Sequence, residues 1–170
     1  MPDTDANNEA LRWWRAEAAQ LQTVVDGPYR ELPWQMCHND LAPANVLVEA
    51  GRVSAILDFE FATPAPRALD VAMGLRMTMR VWENPEPWDR VRRFYCGYRR
   101  WLPLLDAEIR ALPGLIRLRG AITVLWWLGR QSAADDPLVA LDRIGYLRNF
   151  VHWLERYEQA FVEVLLREML

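Results

Sequence analysis

The only convincing strand patterns in this chain, Val46-Leu47-Val48 and residues 53–57, constrain its fold more than any other feature. They flank Ala50-Gly51, which predicts an antiparallel hairpin with a tight turn. Polar side chains stand at the open end of this hairpin, where Asn45 precedes the first strand and Asp58 follows the second. Because neighbouring strands lie about 4.8 Å apart, we expect the Asn45 and Asp58 side chains to reach the same small volume.

Apolar residues recur at helical spacing through most of the remaining sequence, which predicts an α+β fold that is mainly α. We expect one domain in three parts: an N-terminal helix and linker at 1–33, a catalytic loop and hairpin at 34–62, and a helical subdomain at 63–170. Residues 1–7 are predicted to be frayed, and Pro64 and Pro66 to lie in a loop. The predicted helices cover residues 8–25, 67–82, 87–102, 106–131 with an interruption at Pro113, and 137–170 with a weak point at Gly145.

The composition is that of an ordinary globular protein, with 52% hydrophobic and 25% charged residues. A formal net charge of −3 and the lack of a basic stripe argue against a nucleic-acid partner. The apolar run at 115–128 contains Arg117 and Arg119, which predicts a buried helix and not a membrane span. Since Cys37 and Cys96 form no CxxC motif and the first residues are polar and acidic, we expect a cytoplasmic protein.

The hairpin belongs to a longer pattern that runs His38-x-Asp40-x-x-x-x-Asn45, strand, turn, strand, Asp58-Phe59. Pro43 stiffens the loop before the hairpin, so Asp40 can lie near Asn45 and Asp58 without joining them. An amide oxygen and a carboxylate form the hard-oxygen site that Mg²⁺ prefers. Phosphoryl transfer needs these two kinds of group: one carboxylate accepts or orients the proton of the attacking hydroxyl, and an Asn and an Asp bind the metal ions.

Two alternatives compete with this interpretation. His38 and Asp40 could form part of a hydrolytic metal site, but the only other histidine, His152, lies far away in the last predicted helix. A cluster of arginines could attract an anionic substrate or simply form a solvated helix face. That cluster consists of Arg90, Arg92, Arg93, Arg99 and Arg100.

The segment from His38 to Ala62 resembles the aminoglycoside phosphotransferase and choline kinase superfamily, whose pattern is H-G-D-x-x-x-x-N followed by D-[FW]-E. The resemblance extends from about Leu32 to Gly129. Phe94, Gly97-Tyr98 and the stretch around Glu108 are similar to the type II homoserine kinase branch. The resemblance implies the C-terminal lobe of the protein-kinase-like fold, with ATP and Mg²⁺ as cofactors. The implied acceptor is a hydroxyl of a small molecule, and homoserine, aminoglycosides, choline-like amino alcohols and thiosugars are all acceptors in related families.

The resemblance also implies roles for the polar residues of the motif. Asp40 is the expected catalytic base, and Asn45 and Asp58 are the expected magnesium ligands. His38 is expected to support the loop that carries Asp40 without transferring a proton. Asp70 is expected to bind the backbone of the loop that follows the metal site.

Roles for three further residues follow from the same resemblance. Leu47 and Leu57 are expected to form the floor beneath the adenine. Glu60 is expected to contact a second metal or the substrate. The chain departs from the family pattern in two places: Asn39 stands where a glycine is usual, and Pro64-Ala65-Pro66 replaces a stretch that commonly holds another glycine.

The sequence contains no pattern for the residues that bind the phosphates of the nucleotide in kinases. Kinases hold the phosphates with a Gly-rich loop and a lysine on a strand of the N-terminal lobe. All 20 basic residues here are arginine, and no Gly-rich turn precedes His38. We therefore expect the N-terminal lobe to come from a separate polypeptide, with this chain inactive or nearly so alone. A degenerate kinase fragment and a non-catalytic binding module are the alternatives.

We expect this chain to form a homodimer, because a lobe without its neighbour exposes the former contact surface. The nine tryptophans fit either a large core or such a surface. Light scattering of the purified chain at high concentration measures the mass directly. A monodisperse monomer there would contradict this expectation.

Overall fold

The computed structural model describes residues 4–130 and 137–168 of this chain. Six α-helices cover most of them: α1 (Thr4–Asp26), α2 (Pro28–Glu31), α3 (Ala68–Met79), α4 (Trp88–Arg99), α5 (Asp106–Arg130) and α6 (Pro137–Arg167). Four short strands complete the fold: β1 (Trp34–Cys37), β2 (Val46–Glu49), β3 (Arg52–Ile56) and β4 (Thr63–Pro66). The predicted α+β class with mainly helical content is confirmed.

The predicted hairpin is confirmed as the antiparallel pair β2–β3, in which Val46 lies opposite Ile56. The register changes between Leu47 and Val48: Leu47 pairs with Ala55, whereas Val48 pairs with Val53. Ala50 and Gly51 form the turn with φ values of 48° and 75°. Two consecutive positive φ angles match the twist of a two-residue hairpin; Gly51 adopts such an angle freely, whereas Ala50 does so at a cost because of its Cβ.

A second two-stranded sheet, β1–β4, was missed by the sequence analysis. Trp34 lies opposite Pro66, and Cys37 lies opposite Thr63. The prediction that Pro64 and Pro66 lie in a loop is therefore wrong. Proline fits extended backbone and lacks only the N–H group, and each strand of a two-stranded sheet has a free edge where no partner needs that group.

Three helix predictions also need correction. Helix α1 begins at Thr4, so residues 4–7 are helical, while residues 1–3 lie outside the described part. Helices α5 and α6 run through Pro113 and Gly145 without interruption. A proline inside a helix costs about 3 kcal/mol, but Pro113 and its apolar neighbours are buried, and that burial offsets the lost hydrogen bond. The predicted helix ends at 131 and 170 lie outside the described residues.

Helix α5 lies at the centre of the described fold, in contact with α3, α6 and α1. Its side chains Leu112, Leu115 and Ile116 are fully buried, which confirms the predicted buried helix. Of the helices that the structure describes, α5 is also the one whose length and composition would suffice to cross a membrane. That test carries little weight for a helix packed inside a core.

A buried ion pair fixes the start of α5 to the start of α3. The Glu108 carboxylate is fully buried and accepts hydrogen bonds from Arg67 Nε at 2.8 Å and Nη2 at 2.6 Å. It also accepts the Leu105 N–H at 2.8 Å, so both carboxylate oxygens are used. Hydrogen bonding to Glu108 raises the pKa of Arg67, as expected for a cation that this contact stabilises.

We expect Gly120→Ala to destabilise the protein, because the added Cβ would lie 2.5 Å from Leu147 Cδ1 across the α5–α6 contact. Leu147 is fully buried, so its side chain would have to shift within a packed core. Overpacking of this kind costs about 1–3 kcal/mol, more than the helix propensity that alanine adds. The matched control is Gly145→Ala in α6, where nothing lies within 4 Å, and it should raise stability by about 0.5–1 kcal/mol. Urea unfolding measures both, and equal stability of the two variants would contradict the packing.

Candidate functional site

The loop between β1 and β2 carries Asp40 and is held by one carboxylate. Asp70, in the first turn of α3, accepts the His38 N–H at 2.8 Å and the Asn39 N–H at 2.7 Å. We expected Asp70 to bind the loop after the metal site, and that expectation is wrong. Because β1 pairs with β4, and β4 leads directly into α3, the start of α3 lies beside the loop that precedes the site.

His38 connects this loop to the end of the hairpin. Its Nδ1 accepts the Asp40 N–H at 3.2 Å, so the proton must reside on Nε2, which lies 2.8 Å from the Leu57 carbonyl. The imidazole is 8% exposed and contacts the Phe59 ring at a centroid distance of 4.6 Å. With both nitrogens engaged by backbone groups, the ring braces the loop, which is the role that the resemblance implies.

Asn39 explains the first departure from the family pattern. Its φ is 61°, a left-handed conformation that glycine adopts freely and that asparagine tolerates better than most residues. The side chain also donates to the carbonyls of Phe61 at 3.3 Å and Thr63 at 3.5 Å. Asparagine therefore keeps the backbone geometry of the usual glycine and adds contacts to the segment after Asp58. The second departure, at residues 64–66, falls within β4.

Asn45 lies against the expected base. Its Nδ2 donates to the Asp40 carbonyl and to Asp40 Oδ2, both at 2.9 Å. Since both partners can only accept, the amide orientation is fixed and Oδ1 points away from Asp40. Within the described part of the chain, no group donates to that oxygen. It is thus available to a cation.

Asp58 supplies the second oxygen donor at the open end of the hairpin. The Leu57 N–H donates to the Asn45 carbonyl at 2.8 Å, which places Asp58 one residue from Asn45 across the strands. Asp58 is exposed, has φ 63° and has no ion pair with a described residue. One amide and one carboxylate fit Mg²⁺, which takes its other ligands from water and phosphate. No group of three or more His, Cys, Asp or Glu forms a metal cluster in the described residues.

The two faces of the hairpin differ. Leu47 lies opposite Ala55, and Leu57 follows two residues later, so both lie on the expected nucleotide side and are about half exposed. The other face, with Val48, Val53 and Ile56, borders an apolar cavity of about 410 Å³ against α3 and α4. Glu60 is exposed and has no contact with Asp58 or Asn45 among the described hydrogen bonds, so its role stays a prediction.

Arg119, from the middle of α5, was missed as a site residue. The side chain is 8% exposed, and its Nη2 donates to the Asn39 carbonyl and lies 3.4 Å from Asp40 Oδ1. Burial lowers the pKa of Arg119, and Asp40 and Asp70 oppose that shift. The sequence offered one sign of its importance, a charged residue within the apolar run at 115–128. Nothing in the sequence, however, connects that charge to Asp40.

His152 and the arginine cluster, which the sequence analysis considered as parts of alternative sites, have no contact with this site among the described hydrogen bonds and ion pairs. His152 is exposed on α6 and is not near another histidine. In the arginine cluster, Arg90 pairs with Glu83 at 3.3 Å and Arg92 with Asp89 at 3.2 Å. These are surface ion pairs, as in a solvated helix face.

Comparison with known proteins identifies the family. The profile of the phosphotransferase enzyme family APH matches residues 2–105, which include the whole motif and its supporting Asp70. This chain belongs to the APH phosphotransferase family. The resemblance inferred from residues 38–62 is thereby confirmed, and the family in general uses ATP and a divalent metal.

Individual relatives of this APH family member include homoserine kinases. It is 35% identical over 141 residues to the homoserine kinase of Gluconacetobacter diazotrophicus, covering 78% of this chain and 44% of that protein. It is 36% identical over 133 residues to the homoserine kinase of Bradyrhizobium sp. ORS 278, covering 71% and 41%. An uncharacterized protein of Deinococcus radiodurans is 32% identical over 165 residues, covering 92% and 44%. The chain thus spans less than half the length of these relatives.

We expect Asp70→Asn to loosen the Asp40 loop. One of the two N–H groups would then face an amide NH₂ in place of an oxygen, and hydrogen bonds to a charged group contribute about 1.5–3 kcal/mol. Amide exchange at His38 and Asn39 should accelerate by about tenfold or more. Asp89→Asn, an exposed position in α4, is the matched control. Unchanged exchange at both amides in Asp70→Asn would show that the loop does not depend on this carboxylate.

Proposed function

We propose that this chain is the C-terminal, catalytic lobe of an ATP-dependent kinase that phosphorylates a hydroxyl group of a small molecule. Homoserine is the first acceptor to test, because several relatives are named homoserine kinase. One observation carries the proposal: Asn45 Nδ2 binds Asp40, which leaves its Oδ1 without a partner among the described residues, and the Asn45 carbonyl accepts the N–H of Leu57, the residue before Asp58. Base and metal ligands are thus joined in a single unit.

In this proposal, Asp40 accepts and holds the proton of the acceptor hydroxyl. Its carboxylate is already oriented, because Oδ2 accepts from Asn45 at 2.9 Å and Oδ1 lies 3.4 Å from Arg119 Nη2. A base held in one orientation places the hydroxyl without further reorganisation. His38 and Asp70 keep the backbone of this loop fixed relative to the hairpin.

Asn45 Oδ1 and the Asp58 carboxylate would hold magnesium in this site. Bound together with ATP, the metal neutralises charge on the phosphates as the phosphoryl group is transferred. Leu47 and Leu57 would contact the adenine from below. The Gly-rich loop and the lysine of the N-terminal lobe would have to come from another polypeptide or from chain beyond this sequence.

Calorimetric titration with Mg-ATP tests this proposal. The chain is titrated alone and with the polypeptide encoded immediately upstream, and homoserine phosphorylation is measured under both conditions. We expect binding in the micromolar range that Asp58→Asn abolishes, because the carboxylate is a metal ligand. Asp40→Asn should keep the binding but lower phosphoryl transfer by about 10²–10⁴-fold, the usual contribution of a general base.

Asp89→Asn again serves as the control and should bind and react like the unmodified chain. Robust phosphorylation by the chain alone would contradict the need for a second polypeptide. If neither condition shows Mg-ATP binding that depends on Asp58, the phosphotransfer proposal is wrong and a non-catalytic binding module replaces it.

A further inference from the structure

A cavity of about 260 Å³ lies directly beside Asp40, between the loop and the C-terminal half of α5. Its wall consists mainly of Asp40, Phe61, Arg119, Ile122, Trp126 and Trp127. Pockets for drug-sized ligands measure about 300–1,000 Å³, so this cavity suits a smaller compound.

Among the described residues that line this cavity, Arg119 is the only basic one, and its guanidinium is incompletely paired. Nη2 is bound to the Asn39 carbonyl and Asp40, but Nε is buried without a hydrogen-bond partner. Nη1 has no hydrogen bond with a described residue and is absent from the buried unpaired atoms, so it remains accessible. A desolvated cation with free N–H groups is stabilised by an anion placed against it.

Two tryptophans of the wall already form cation–π contacts with arginines. The Arg130 guanidinium lies 4.5 Å from the centroid of Trp126, and that of Arg143 lies 4.0 Å from the centroid of Trp127. Tryptophan faces that are open to a ligand can bind an ammonium group, but here two arginines occupy such positions. Among the described residues, neither Arg130 nor Arg143 has an ion-pair partner, and both place a cation against the tryptophan faces of the wall.

A fourth cation lies close to Arg119, behind the wall. Arg76, from α3, has a buried Nε without a partner, and no acidic group of the described residues lies within ion-pair distance. Burial lowers the pKa of Arg76, and the neighbouring Arg119 lowers it further. Among the described residues around the cavity, the arginines outnumber the carboxylates of Asp40 and of Asp142, which lies beside Arg76 and Arg143, and this balance disfavours a purely cationic ligand such as a choline-like amino alcohol.

We propose that this cavity binds the phosphoryl acceptor and that Arg119 binds a carboxylate on it. The acceptor class is then small hydroxylated carboxylates, which offer the hydroxyl to Asp40 and the carboxylate to Arg119 Nη1. The 3.4 Å between Arg119 Nη2 and Asp40 Oδ1 keeps base and anchor close enough for one short molecule. Placing the hydroxyl at Asp40 rests on the proposed function.

The test compares homoserine with homoserinol, in which the carboxylate is reduced to an alcohol while the carbon chain and the ammonium group are kept. Binding to the full chain without nucleotide is titrated by ligand-observed NMR. Hydrogen bonds to charged groups predict that homoserine binds about tenfold or more tightly than homoserinol. In Arg119→Met this preference should disappear, and in Arg119→Lys it should be partly kept. Arg110→Met, an exposed position on the same helix, should leave it unchanged.

The comparison of ligands on the unmodified chain decides the proposal even if Arg119→Met fails to fold. Equal or tighter binding of homoserinol overturns it, as does a preference for homoserine that persists in a folded Arg119→Met. A preference that depends on Arg119 supports it. Loss of Asp58-dependent Mg-ATP binding would overturn only the phosphotransfer proposal, whereas loss of the homoserine preference would overturn only this one.

Discussion

The Asp70 carboxylate is the contact on which the arrangement of the site depends. It takes the two N–H groups that precede Asp40, and it can reach both because Asn39 turns the backbone into the left-handed region. From this fixed point His38 extends to the end of β3, and Asn39 extends to the segment before β4. A single half-buried carboxylate thereby relates α3 and both small sheets to the loop that bears Asp40.

Two arginines on or near α5 illustrate different uses of buried charge. Arg67 and Glu108 satisfy each other with two hydrogen bonds, and Glu108 takes a third from the backbone, as expected for a structural ion pair. Arg119 is equally shielded from water but meets Asp40 only at 3.4 Å and keeps an unpaired Nε. This incomplete compensation of a buried cation in a cavity wall is the observation behind the ligand-binding role that we propose for Arg119.

The sequence predicted those parts of the molecule that depend on local pattern. The β2–β3 hairpin followed from alternating apolar residues and Ala50-Gly51, and the family followed from the spacing of polar residues around it. The β1–β4 pair was missed because its prolines mimic a loop, and Arg119 because it meets Asp40 across 79 residues of chain. The continuity of α5 through Pro113 depends on tertiary burial, which periodicity does not reveal. The catalytic and metal-binding roles remain predictions.

The conformation of Asn39 has a consequence for how such proteins are recognised. A motif search that requires glycine after the histidine would reject this chain, although its backbone at that position is the one glycine normally provides. The constraint is on φ, and side chains other than asparagine and aspartate rarely satisfy it. A search pattern that admits Gly, Asn or Asp there would describe the loop by its geometry and would recover more divergent phosphotransferase lobes.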